Sequence, residues 1–125
     1  MVADPFGPEG RWLFEVEFEG HRHEFAVADA YLRAHSTWRA DRDPLPISRA
    51  TAIQAATEEA HRLMPEVVNW GLEDLTLRWV FAECWYYEVT LSDGDRPVAG
   101  RIPQDRMIKI PVLLNGVAVH PYRSR

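Results

Sequence analysis

The chain of 125 residues holds a single cysteine, Cys84, so no disulfide can form within it. Small secreted domains commonly lean on disulfides, and their absence favours a reducing compartment. No apolar run approaches the roughly 18–20 residues that span a bilayer. The opening Met1-Val2-Ala3-Asp4-Pro5 lacks the basic stretch and apolar core of a signal peptide. The expectation is a cytoplasmic chain with no membrane attachment. Basic residues are also short: 14 Lys and Arg stand against 19 Asp and Glu, a formal net charge of −5. Nucleic-acid binding without sequence preference needs a basic surface to displace counterions, so nucleic acid is not an expected partner. Phosphate-loop, dinucleotide, zinc-protease and C-x-x-C signatures do not occur. No cofactor and no catalytic residue is expected from motifs.

What is present is apolar patterning. A hydrophobic fraction of 46% is ample for a core. Residues 1–10 are rich in Pro and Gly and read as a flexible arm, with one domain over 11–125. Trp12, Phe14, Val16 and Phe18 alternate with three glutamates, the period of a half-buried strand. A turn at Glu19-Gly20 returns the chain through His21 to Val27, pairing Phe18 with His21, Phe14 with Phe25 and Trp12 with Val27. Residues 28–38 allow a short helical turn carrying Tyr31, Leu32 and Trp38, and Asp41 to Pro46 form a proline-broken connector.

Ser48 is placed to cap a helix running to Met64, with Ile53, Ala56, Ala60, Leu63 and Met64 on its buried stripe and Pro65 as its stop. Beyond a turn at Asn69-Trp70-Gly71, two strands follow. Leu75, Leu77, Trp79 and Phe81 alternate on the first, and Trp85, Tyr87, Val89 and Leu91 on the second. Residues 96–105 read as irregular. Ile108, Ile110, Val112 and Leu114 form another apolar face, and Asn115-Gly116 favours a tight type I′ hairpin returning through Val117 and Val119. The predicted fold is α+β: one long helix, about 48–64, on a curved antiparallel sheet of about six strands, in the order ββ(α)αββββ.

Ile47, Ser48, Ala52, Ile53 and Ala56, followed by Trp85-Tyr86-Tyr87-Glu88-Val89, match the helix-cap and aromatic-strand pattern of PepSY-like domains. Over residues 47–95 the chain resembles that family. The resemblance implies a helix on a curved sheet, broadly cystatin-like, and a binding or inhibitory role rather than catalysis. The chain departs from the family pattern at Ile110-Pro111-Val112 and Asn115-Gly116.

Few residues suggest chemistry. His21 and His23 would share one face of a strand, a weak metal pair without a second cluster. Cys84, between Glu83 and Trp85, has no base nearby in sequence and reads as a buried thiol. Glu15, Glu17 and Glu19 read as a solvated strand face. The inward alternation assigns Trp12, Trp79, Trp85 and Tyr87 to the core. Tyr86 falls opposite them and, with Arg78, Val80 and Glu88, would form an outward mixed patch, while Trp38 and Trp70, in or beside loops, either plug the core or flank that surface. Tyr and Arg are common interface anchors. The reading is therefore a non-enzymatic binding protein, immunity- or inhibitor-like, whose partner is another protein or a second copy of itself. The alternative is a small-molecule site, possibly enzymatic, in the sheet concavity of a cystatin-like or nuclear-transport-factor-2-like architecture.

Overall fold

The computed structural model describes residues 10–94, 106–121 and 123–124. Apart from Gly10, the expected N-terminal arm lies outside the described residues, as does the irregular stretch over 96–105. The first hairpin comprises β1 (Gly10–Phe18) and β2 (His21–Ala28). Its turn uses positive φ at both Glu19 (48°) and Gly20 (84°), the backbone that matches strand twist in two-residue loops. Phe18 pairs with His21 and Phe14 with Phe25, as the alternation predicts. A bulge between Trp12 and Phe14 then sets Trp12 opposite Ala26 and Arg11 opposite Val27. The extra residue re-aims everything before it, and Trp12 is 37% exposed rather than core.

Two helices follow, not one. Helix α1 spans Asp29–His35 and buries Leu32 completely. Helix α2 spans Arg49–Leu63, and the Ser48 hydroxyl accepts from the Thr51 amide as its N-cap. Its buried side is Ala52, Ala56, Glu59 and Ala60, while Ile53 and Leu63 are only half-buried. The stripe is rotated from the predicted one, and a glutamate lies on it. Three alanines let the helix axis approach the sheet closely.

The six strands do not form one sheet. Strands β3 (Trp70–Phe81), β4 (Cys84–Asp93) and β5 (Met107–Leu113) form one antiparallel sheet in the order β3-β4-β5. A short β6 (Arg123–Ser124) pairs with β2, making a second sheet in the order β1-β2-β6. Trp70 and Gly71, expected in a turn, begin β3 opposite Asp93 and Ser92. The chain beyond β5 explains the division. Positive φ falls at Gly116 alone in the 114–116 turn, so Asn115-Gly116 is not a two-residue type I′ loop. The return strand makes one bridge, Val112 with Ala118, before crossing to β2.

Helix α2 lies against all three strands of the β3-β4-β5 sheet. Paired residues share a face, so Tyr87, Val89 and Leu91 align with Val112, Ile110 and Ile108 on one side. Tyr86, Glu88, Thr90 and Ser92 occupy the other. Both sets are buried, so β4 is covered on each face. The first sheet docks through aromatic contacts: Phe14 stacks on Tyr86 at 6.3 Å, and Phe18 meets Trp70 at 5.2 Å. Residues 36–38 extend the β5 side of the sheet through a Thr37–Cys84 bridge. The fully buried Ser36 hydroxyl donates to the Trp85 carbonyl and accepts from the Leu114 amide (3.0 Å), tying three segments at one atom.

Candidate functional site

The residues singled out in the sequence do not converge. Glu88 is bracketed by Arg78 Nε at 2.9 Å and Lys109 Nζ at 3.5 Å, one cation from each neighbouring strand. Arg78 keeps half of its side chain in solvent, and the Glu88 hydrogen bond raises its pKa further. Tyr86 is 6% exposed, and burial together with the Glu88 charge pushes its phenol up to about 12. The outward patch expected at Tyr86 and Glu88 is therefore covered, Tyr86 beneath Phe14 and Glu88 between its two cations. Trp38 lies edge-on to Trp85 at 5.4 Å, with its indole N–H on the Asp43 carbonyl. Trp70 lies against Phe18, and its indole N–H is buried without a hydrogen-bond partner among the described residues. Trp79, expected inward, is 60% exposed, because its indole N–H binds the Ala82 carbonyl and holds the ring over the β3–β4 turn. Trp12 and Trp79, both assigned to the core by alternation, thus lie at the surface.

His21 is exposed at the hairpin end while His23 is buried. Among the described residues, no three His, Cys, Asp or Glu side chains group as a metal site. Burial lowers the His23 pKa, and the neighbouring His21 charge lowers it further, against a smaller opposing pull from Glu59. The folded state therefore holds fewer protons than the unfolded one below about pH 6.5. His23 contributes stability that is complete above that pH and lost on acidification toward the folded pKa. Urea midpoints measured at pH 7.5 and 5.5 should fall with pH, and His23→Phe should flatten that slope. Burial likewise raises the Cys84 thiol, which disfavours the nucleophilic thiolate.

Two arrangements were not legible in the sequence. One is a carboxylate cluster: Glu59, with 3% of its side chain exposed, accepts from Arg62 Nε at 2.8 Å and Arg62 Nη2 at 2.6 Å. His120 Nδ1 stands 2.8 Å from Glu59 Oε1. These contacts bind α2 to the segment that crosses to β2.

The other is a concave groove of about 270 Å³ between β2, the start of α1 and the 113–119 return. Ala26, Val27, Ala28, Leu113, Val117 and Val119 line it, with the Tyr31 ring. Tyr31 and Val117 are exposed at 40% and 47%. Three small or branched residues of β2 leave the hollow, and the shifted return strand turns Val117 toward solvent. Among the described residues, no carboxylate, imidazole, ammonium or guanidinium lines it. Such a lining can hold apolar groups but has no acid–base pair for catalysis. No helix among the described residues is long and apolar enough to cross a membrane. In comparisons with known proteins, the chain matches no family model, no curated protein and no solved structure.

Proposed function

We propose that the chain is a non-enzymatic protein-recognition domain whose groove between β2, α1 and residues 113–119 receives an apolar side chain of its partner. The observation that carries this reading is the groove lining, predominantly apolar among the described residues, with a tyrosine and a valine exposed at its rim. Tyr is favoured in such places because it offers large area at low entropic cost. Size weighs toward this reading over a small-molecule site. About 270 Å³ falls below the roughly 300–1,000 Å³ typical of pockets that enclose a whole ligand, and it suits one anchoring side chain. The PepSY-like pattern, with the binding or inhibitory role it implies, points the same way. An acidic chain, at −5, would meet a basic partner faster through electrostatic steering.

The test selects peptides from a displayed library on the immobilised full chain, then measures their affinity for a variant. Val117→Asp places a charge where the apolar anchor would sit. It should weaken the selected peptides at least about tenfold while leaving the thermal midpoint nearly unchanged, since Val117 is a surface residue. Equal binding to both proteins, or selected peptides without a shared large apolar residue, would remove the groove from consideration.

A further inference from the structure

Strand β3 is a long edge. Among the described residues it pairs only with β4, and its twelve residues are about twice the length of an average strand. An edge of this length is a template for another strand unless it is blocked. Two interruptions lie near its ends, between Leu72 and Asp74 and between Trp79 and Phe81. Between them the ladder from Asp74 to Trp79 is regular, with no proline and no glycine. Leu72 and Trp79, both strongly exposed, stand at the two limits of that stretch.

The charges within it are arranged about one residue. Asp74 lies two positions before Thr76 and Arg78 two positions after, all three on the same face, since they pair with Thr90, Glu88 and Tyr86. We infer that β3 pairs antiparallel with β3 of a second copy about a two-fold axis at Thr76, joining the two β3-β4-β5 sheets into one of six strands. In that register Asp74 of each copy stands opposite Arg78 of the other, and Leu75 stands opposite Leu77 on the reverse face. Directly opposed side chains of opposite charge support a sheet pair, whereas like charges oppose it.

Other registers lose this match. A shift of two residues either way sets Arg78 opposite Leu72 or Thr76. Parallel in-register pairing sets Asp74 beside Asp74 and Arg78 beside Arg78. The same two charges that deter unrelated strands therefore select one self-pairing. Arg78 can serve it without leaving Glu88, because that bond uses Nε and half of its side chain remains in solvent. Asp74, which in the single chain accepts from the Leu75 amide at 2.9 Å and the Thr76 hydroxyl at 3.3 Å, exchanges those bonds for Arg78 of the second copy, and this frees the Leu75 amide for the ladder. The surface is separate from the groove at β2 and α1, so Val117→Asp should leave the pairing intact.

The experiment uses the full chain in sedimentation equilibrium at low salt, together with cysteine cross-linking. Opposed side chains in an antiparallel pair lie about 5 Å apart. Thr76→Cys should therefore cross-link to itself with a short bismaleimide, whereas Gln54→Cys on the exposed side of α2 should not. The native Cys84 is buried and should stay silent. A monomer–dimer equilibrium is expected at protein concentrations on the order of 100 µM, as suits a small edge-to-edge contact. Asp74→Arg should raise the dissociation constant at least about tenfold, and adding Arg78→Asp to it should restore dimerisation. A wild-type chain that stays monomeric throughout that range overturns the inference, as does equal cross-linking at positions 76 and 54. If the doubly exchanged chain does not fold, the cross-linking comparison decides alone.

Discussion

Phe25→Ala should remove about 3–5 kcal/mol of folding stability, the range for truncating a fully buried phenylalanine. Phe25 is completely enclosed and meets Phe14 at 5.2 Å, and Phe14 in turn stacks on Tyr86 of β4. The three rings form one of the contacts by which the first hairpin sits on the β3-β4-β5 sheet. Deleting the innermost leaves a cavity and frees Phe14 to move, so the loss includes part of the Phe14–Tyr86 contact as well as the transfer free energy of the ring. Against a total stability of about 5–15 kcal/mol, the variant should be marginal at best. Urea denaturation followed by tryptophan fluorescence would measure it, and Phe25→Leu should recover most of the deficit. Trp79→Ala gives the contrast. Its ring is larger but mostly in water, so its removal should cost well under about 1 kcal/mol. Equal losses at the two positions would show that the ring contact does not hold the sheets together.

Arg62→Ala should cost more than Glu59→Gln, the conservative change to its partner. The carboxylate is buried, whereas Arg62 and His120 expose 54% and 68% of their side chains. Removing Glu59 returns the Arg62 and His120 side chains to water, where they are well solvated. Removing Arg62 takes two charge-assisted hydrogen bonds from a buried carboxylate, leaving His120 as its remaining side-chain contact. An uncompensated buried charge costs several kcal/mol, tempered here by His120, so a loss of about 2–3 kcal/mol is expected. Glu59→Gln, which keeps the shape and removes the charge, should lose about 1 kcal/mol or less. The double variant Arg62→Ala/Glu59→Gln should be more stable than Arg62→Ala alone, the sign of coupling that a double-mutant cycle would report. Additive losses in that cycle would mean that the pair is merely adjacent.

Much of the secondary structure was legible because it rests on local chemistry. Ser48 caps α2, Glu19-Gly20 turns the first hairpin, and the alternation through Ile108, Ile110 and Val112 marks a buried face. One physical cause lies behind two of the differences. Alternation gives parity along a strand, but one inserted residue inverts it, and nothing in the composition announces the insertion. The bulge at Trp12 turned a predicted core tryptophan toward solvent. The three-residue turn ending at Gly116 moved the return strand by one position, so Val112 meets Ala118 rather than Val119. A second cause was β4 itself. Its clean alternation of Tyr87, Val89 and Leu91 against Tyr86, Glu88 and Thr90 suggests one wet face, yet that face is covered by a hairpin distant in sequence and by flanking cations. The groove and the Glu59 cluster each bring together segments far apart in the chain, which no local pattern encodes. Arg78 and Glu88 were correctly placed on one face, but as an ion pair rather than an open patch.

The pairing of β2 with β6 also sets an order in time. His23 and Glu24 find their partners in Ser124 and Arg123, with almost the whole described chain between them. During synthesis the first hairpin leaves the ribosome early, and one of its edges then waits for nearly all the remaining residues. Contacts so distant slow folding, because the loop they close must be ordered before they repay it. Meanwhile the outer edge of β2, including the buried His23, is open to whatever strand comes near. Between the synthesis of β2 and that of β6, positions 23 and 24 of this edge are thus open to mispairing, and the short β6 then closes them.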